Sequence, residues 1–191
     1  MSEVAVNSKL EEVYKQAKQI VEEIYPRIKE LQDKQRKTKD KETLQRIKNE
    51  LKDLRKEQSD GYESIVDGTL KSWADIKIYE VQNSNDMDLF IRPSGIAEAI
   101  ACSIDFKTTQ LRKIFHQLRS LQYEAKQGGF KTYKVKKVIA LLAYSAGRKL
   151  IDHNFFNLSK GLLSKVEDAN DLNVVVELLE AIVAYRKYYE S

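Results

Sequence analysis

Lys and Arg are concentrated in one stretch of the chain, residues 107–149. This stretch contains eleven of them against a single acid, Glu124, although the whole chain of 191 residues has a net charge of only +4. Lys and Arg neutralise phosphates and release counterions, and tyrosine between them can stack on a base of any identity. The stretch therefore predicts contact with a polyanion that is read by charge and shape rather than by base sequence. The candidate phosphate contacts are Arg112, Lys113, Arg119, Lys134, Lys136, Lys137 and Arg148, and the candidate stacking residues are Tyr123 and Tyr144.

A solvated helix surface is the alternative explanation for these cations. Such a surface normally mixes both signs of charge, because Lys and Glu stabilise a helix when they lie three or four positions apart. Arg148 in particular could pair with Asp152, four positions further on, instead of binding a ligand. The near-absence of acids favours a polyanion over a solvated surface.

Catalytic chemistry has little support in the sequence. The only histidines, His116 and His153, fall on different predicted helices and have no Cys or carboxylate at metal-ligand spacing around them. The enzymatic alternative is a ribonuclease that uses His116 with Arg112 and Lys113 in acid-base cleavage. The single cysteine, Cys102, lies among apolar residues and is typical of a core position. We expect no enzyme activity, no metal and no cofactor.

Apolar residues at three- and four-residue spacing place the cations on two helices. The first helix is predicted from Thr109, and a break at Gly128-Gly129 separates it from the second. The outward stripe of the first helix contains Arg112, His116, Arg119 and Tyr123, and that of the second contains Lys134, Lys137, Tyr144 and Arg148. A strip of small residues on the second helix predicts the close approach of a neighbouring helix; it consists of Ala140, Ala143 and Gly147.

Two long amphipathic helices precede the basic stretch. Their apolar residues follow the three-four spacing of a coiled-coil seam, first from Leu10 to Leu31 and then from Leu44 to Leu54. Pro26 should kink the first helix near Tyr25 or begin a new one there. Both signs of charge alternate along these helices, which is typical of a solvent-exposed coiled coil.

A hairpin tip is predicted between these two helices. The run from Gln35 to Asp40 has no apolar residue, and Asp40 is the candidate cap of the second helix, which should end at Ser59-Asp60-Gly61. Two helices of similar length with facing seams predict an antiparallel hairpin. Its partner is another copy, another subunit or the body of the same chain.

The segment between the hairpin and the basic stretch has weaker signals. Residues 61–78 suggest a third helix, and residues 76–81 fit either a helix or a short strand. The polar run from Gln82 to Asp88 predicts a linker. Ser94 is the candidate cap of a short helix that leads into the basic stretch.

The expected fold is all-α. Two prolines, seven glycines and 32% charged residues fit a body of about five bundled helices behind a coiled-coil-like antiparallel hairpin. The predicted division is a hairpin arm over 1–60, a connecting helix and linker over 61–93, and a basic helical-bundle body over 94–191. No apolar run reaches the length of a membrane span and no leader is recognisable, so we expect a cytoplasmic protein.

Two short strings in the body resemble a known family. Residues 107–115 read KTTQLRKIF, and residues 142–148 read LAYSAGR. In this order and at this distance, they are similar to strings of the small subunit of type III-A (Csm-type) CRISPR interference complexes. The resemblance covers about residues 95–190, and the amino-terminal arm departs from the family pattern.

The resemblance implies a non-catalytic subunit that stacks with its own copies along an antiviral effector complex. There it would hold single-stranded target RNA and the crRNA-target duplex by the backbone, next to other subunits of the complex. Position by position, Arg112 and Lys113 match the first string and Arg148 matches the second. Arg119, Lys134, Lys136 and Lys137 rest on charge and helical position alone. The alternative is a coiled-coil protein-protein adaptor whose basic face meets an acidic partner.

Overall fold

The computed structural model of the chain describes residues 8–106 and 108–190. Lys107, the first cation of the basic stretch, lies outside the described residues. The described part contains helices and no strand, so the all-α prediction is confirmed. The helices are α1 (Ser8–Gln19), α2 (Tyr25–Lys37), α3 (Lys41–Ser72), α4 (Ile78–Val81), α5 (Asn85–Ile91), α6 (Ile96–Ser103), α7 (Thr108–Glu124), α8 (Thr132–Gly147), α9 (His153–Ser164) and α10 (Ala169–Tyr189). Two π-helical turns, Ile20–Ile24 and Ala125–Gly129, follow α1 and α7.

The first three helices form the predicted antiparallel hairpin. Helix α2 begins at Tyr25, directly after the π-helical turn Ile20–Ile24, with Pro26 in its first turn, where proline is tolerated. Asp40 caps α3, because its Oδ2 accepts a hydrogen bond from the amide of Thr43 at 2.8 Å. The predicted seam is buried along α1 and α2; it consists of Leu10, Val13, Ala17, Ile20, Ile24, Ile28 and Leu31.

The second hairpin helix does not end at Ser59-Asp60-Gly61, so that prediction is wrong. Helix α3 continues to Ser72, although glycine inside a helix costs about 1 kcal/mol relative to alanine. Close packing explains the glycine: a Cβ at Gly61 would lie 3.0 Å from Cδ1 of Ile20. Burial of Tyr62, Ile65 and Val66 just beyond it stabilises the continued helix.

The hairpin packs on the body of the same chain. Helix α1 contacts α5 and α6, and α3 contacts α6 and α9. Two polar contacts, one buried and one partly buried, join α3 and the residue after it to the helices that follow. Tyr62 donates its hydroxyl to Oδ1 of Asp152 at 3.1 Å, and Trp73 Nε1 donates to Oδ2 of Asp86 at 2.8 Å. The hairpin and the body therefore share one core.

The segment between α3 and α6 is helical where a linker was predicted. Residues 78–81 form the short helix α4 rather than a strand, and Gln82 to Asp88 contains most of α5, which Ser84 caps. Ser94 does not cap α6. It adopts a φ of 56°, and its amide donates to Oε2 of Glu98 at 2.8 Å, while Gly95 occupies the cap position.

The body contains the five predicted helices, α6 to α10. Helix α6 lies at its centre, where every residue from Ile96 to Cys102 is buried and where α1, α3, α5 and α10 surround it. Cys102 is a core residue, as expected, and burial raises the pKa of its thiol to about 12. No helix in the described part of the chain is long and apolar enough to cross a membrane. The division at residues 60 and 93 stays a prediction.

Candidate nucleic-acid interface

Helix α7 presents a stripe of exposed cations and rings opposite its buried face. Leu111 and Leu118 are buried, and the helix packs on α10. Arg112 and His116 are exposed on the other side, and Tyr123 has 69% of its surface exposed. The outward stripe predicted for this helix is therefore present, because its residues recur near the same angle of a 3.6-residue turn.

The break predicted at Gly128-Gly129 lies at the end of the π-helical turn that follows α7. Gly128 has a φ of 79°, a conformation that residues with a Cβ rarely adopt. The chain then turns back, and α8 begins at Thr132. Helices α7 and α8 are in contact, so the two cationic segments are neighbours.

Helix α8 carries a second exposed stripe, in which cations and tyrosines alternate. The ammonium of Lys137 lies 5.4 Å from the ring centroid of Tyr133, and the guanidinium of Arg148 lies 5.5 Å from that of Tyr144. Nη1 of Arg148 also donates to the hydroxyl of Tyr144 at 3.0 Å. Each pair holds a cation over a ring that remains exposed, an arrangement that can meet a phosphate and a base together.

Tyr133 was missed from the sequence, as was exposed Leu141 of the same stripe. Both fall in register with Lys137, Tyr144 and Arg148 at spacings of four and seven, so helical position could have identified them. Tyr133 is 52% exposed and Leu141 is 46% exposed, on the same side of α8 as exposed Tyr144.

The close helix approach predicted for the small residues of α8 is wrong. Ala140, Ala143 and Gly147 are all exposed, and a Cβ added at Gly147 would meet no atom within 4 Å. The buried face of α8, which packs on α9, is formed by other residues. Its buried members are Val135, Val138, Leu142 and Ala146.

Two of the predicted phosphate contacts already have carboxylate partners. Arg119 forms an ion pair with Glu180 of α10, donates to Oε1 of Gln122 at 2.9 Å and lies over the ring of Phe115. Lys134 forms an ion pair with Glu124, which raises the pKa of its ammonium. These two cations hold helices together, so their charge is partly compensated before any ligand binds.

The remaining candidates are exposed. Arg112, Lys113 and Lys136 have no hydrogen-bond or ion-pair partner among the described residues. Arg148 does not pair with Asp152, because that carboxylate caps α9 by accepting from the amide of Phe155 at 2.7 Å. Among the described residues, Arg112 and Arg148 are therefore stripe cations without a carboxylate partner, whereas Lys113 and Lys136 are exposed outside the stripes. That they bind RNA stays a prediction.

The described residues show no group of three His, Cys, Asp or Glu side chains placed to hold a metal ion. His116 lies on the exposed stripe of α7, between Arg112 and Arg119. The surface formed by α7 and α8 therefore carries exposed cations and aromatic rings.

A comparison of the sequence with models of protein families gives a match that includes the helical body. The model of the family described as Csm2 Type III-A matches residues 84–191, more than half of the chain. The chain belongs to this family. It is therefore a small subunit of a type III-A CRISPR effector complex, and other subunits of that complex are its partners. Comparisons with curated proteins and with solved structures gave no match.

The Csm2 match covers α5 to α10 and includes both exposed stripes. Both sequence strings, 107–115 and 142–148, lie inside it, so the family prediction is confirmed. The hairpin of α1, α2 and α3 lies outside the match. Csm2 proteins are structural small subunits.

Proposed function

We propose that this Csm2 subunit holds RNA in the effector complex by its phosphate backbone, through the outward stripes of α7 and α8. The observation that carries the proposal is the pair of exposed cation-tyrosine contacts on α8, Lys137 with Tyr133 and Arg148 with Tyr144. A cation beside an exposed ring binds a phosphate and stacks on its base, whatever the base is. The RNA is the target strand or its duplex with the guide.

The proposed role is non-catalytic and repeated along the complex. Copies of the subunit stack beside the guide-bearing backbone, so that many weak backbone contacts act together in antiviral defence. Charge supports this role, because residues 107–149 hold eleven Lys and Arg against one acid while the rest of the chain is net acidic. Contacts of this kind do not depend on base sequence.

Binding of labelled single-stranded RNA of mixed sequence at low and physiological salt tests the proposal. The double variant Arg112→Ala, Arg148→Ala removes two exposed cations without a carboxylate partner, so the helices should remain intact. We expect its affinity to fall about tenfold or more at low salt and the salt dependence to become shallower, by about 0.7 in slope for each lost phosphate contact.

The control variant is Lys15→Ala, Lys71→Ala, which removes two exposed cations of α1 and α3. It changes the net charge equally and should bind RNA almost as the unaltered chain does. Equal affinity of the two variants, with intact helical spectra, would refute the assigned surface. No salt-sensitive RNA binding by the unaltered chain would favour the adaptor with an acidic protein partner.

A further inference from the structure

The outer half of the hairpin is strongly basic. Residues 25–56 contain twelve Lys and Arg against six Asp and Glu, whereas the other residues of 1–90 contain five against thirteen. Over residues 1–90 as a whole, 17 Lys and Arg nearly cancel 19 Asp and Glu, and this near-neutral sum hides the separation. The basic part consists of α2, the tip and the first half of α3.

This part of the hairpin extends away from the shared core. Helix α2 packs on α3 and on the π-helical turn before it. Its ring contact with the body is at its first residue, where Tyr25 and Tyr189 have centroids 4.8 Å apart. At 1.5 Å per residue, the tip lies about 18 Å along the helix axis from that contact.

Four cations of α3 lie on the side of the helix away from Glu42, Glu50 and Asp53. Lys41, Lys48, Lys52 and Arg55 follow one line at spacings of seven, four and three. All four are exposed and have no ion-pair or hydrogen-bond partner among the described residues. On the other side, Glu42 pairs with Arg46 and Glu50 pairs with Arg27, at 2.7 and 2.8 Å.

The basic side leads into a cleft at the root of the hairpin. The cleft has a volume of about 580 Å³ and is lined by Lys29 of α2, Arg55 of α3 and Arg186 of α10, with Asp105 as its one carboxylate. A second depression, on the opposite side of the hairpin, is lined by three acids, Asp53, Glu57 and Asp60, and by one cation, Lys56. Cations therefore predominate on one side of the hairpin and acids on the other.

We infer that the cationic side of the hairpin is a second phosphate-backbone site, separate from the stripes of α7 and α8. A protein interface normally contains a desolvated apolar or aromatic centre. No large apolar side chain is exposed in residues 25–56; those exposed elsewhere include Tyr79, Ile91 and Tyr188. A phosphate backbone requires cations alone, and a line of them about 20 Å long spans several nucleotides.

The ligand is RNA if the proposed function holds, and the inference rests on that function only for the choice of nucleic acid. The site lies outside the residues that match the family model, so it is a property of this chain's own arm. It would lengthen the path of RNA contacts on each copy. In a stacked assembly each added contact is multiplied by the number of copies.

The test compares two triple variants of the full chain in binding to labelled single-stranded RNA over a range of salt concentrations. The hairpin variant is Lys48→Gln, Lys52→Gln, Arg55→Gln, and the control is Lys15→Gln, Lys71→Gln, Lys77→Gln. Both remove three exposed cations, so a general effect of net charge cancels. We expect the slope of log affinity against log salt to become shallower by about 2 in the hairpin variant alone.

The body variant Arg112→Ala, Arg148→Ala, measured in parallel, separates this inference from the proposed function. Loss of affinity in the hairpin variant, with or without loss in the body variant, supports the second site. Loss in the body variant alone would overturn it and leave the proposed function standing. Unchanged RNA affinity with weaker capture of the other subunits would also overturn it, and would assign the cationic side to an acidic protein surface.

Discussion

At the scale of single residues, the presence or absence of a carboxylate partner distinguishes candidate phosphate contacts that look equivalent in the sequence. Arg112 and Arg119 lie on one outward stripe of α7, yet Arg119 forms an ion pair with Glu180 and Arg112 has no such partner among the described residues. A phosphate must compete with an existing carboxylate for Arg119, whereas Arg112 loses only water. The unpaired cations should therefore dominate the salt dependence of RNA binding.

Tyr144 provides the residue-scale prediction. Its ring is 61% exposed and lies under Arg148, so it can stack on a base. Tyr144→Ala should weaken single-stranded RNA binding by about 1 to 3 kcal/mol for the lost base contact. Tyr144→Phe keeps the ring and should bind nearly as well, although it loses the hydrogen bond from Arg148.

The measurement is a titration of labelled RNA with each variant, with Tyr79→Ala as a control outside the basic stretch. Tyr79 is also exposed, at 41%. An equal loss in Tyr144→Phe and Tyr144→Ala would show that the hydroxyl, not the ring, matters. An equal loss in Tyr79→Ala would remove the reason to assign stacking to α8.

At the scale of the helices, one carboxylate both caps α9 and joins it to the hairpin. Asp152 accepts from the amide of Phe155 and from the hydroxyl of Tyr62, while its Oδ2 is buried without a hydrogen-bond partner in the described structure. Burial raises the pKa of Asp152, and hydrogen bonding, chiefly from Phe155 and Tyr62, only partly opposes this. The charged form of Asp152 is therefore less favourable in the folded chain than in water.

The pH dependence of the free energy of unfolding tests whether the charge of Asp152 destabilises the folded chain. Between the ordinary pKa of an aspartate and the raised one, the folded chain binds more protons than the unfolded chain, so the contribution of Asp152 to stability falls as pH rises through that window. Asp152→Asn keeps an oxygen that can cap the helix and should remove this part of the pH dependence. We expect Asn to be as stable as Asp at pH 7, or more so.

Urea unfolding at several pH values between 4 and 7 gives the comparison. Asp152→Ala is the control, since it removes the cap and leaves the buried hydroxyl of Tyr62 unpaired; it should lower the free energy of unfolding by about 2 kcal/mol or more. If the asparagine variant were as unstable as the alanine variant at pH 7, the negative charge of Asp152 would be needed for stability. That result would contradict a destabilising charge at this position.

At the scale of the whole molecule, the hairpin completes the core of the body. The family match begins at residue 84, yet α6 inside that match is covered by α1 and α3 from outside it. Its residues from Ile96 to Ala101 are buried to 9% exposure or less. Removal of the hairpin would expose this apolar helix to water, at about 25 cal/mol for each Å² uncovered.

We therefore expect a chain reduced to residues 84–191 to lose cooperative unfolding. Circular dichroism during thermal and urea denaturation, with the full chain beside it, measures this. A sharp transition in the fragment, without self-association in sedimentation, would contradict the shared core and would support the division of the chain into an arm and an independent body. A broad transition or aggregation is the expected result.

Much of the local structure followed from the sequence. Helical spacing predicted the buried seam from Leu10 to Leu31, the outward stripe of α7 and the cap at Asp40, because each depends on residues within a few positions of one another. The strings around Arg112 and Arg148 also pointed to the family that the comparison confirmed. The helix end predicted at Gly61 was wrong, since this glycine lies inside a continuous helix.

Only the tertiary structure decided which charges are free and what the hairpin covers. Glu180 is 61 positions from Arg119, and no local pattern reveals that their helices meet. The same holds for Tyr62 with Asp152, 90 positions apart. Periodicity determines which face of a helix is apolar, because that depends on one turn of backbone. Which helices cover that face depends on the packing of the whole chain, and it is this packing that pairs some cations and leaves others exposed.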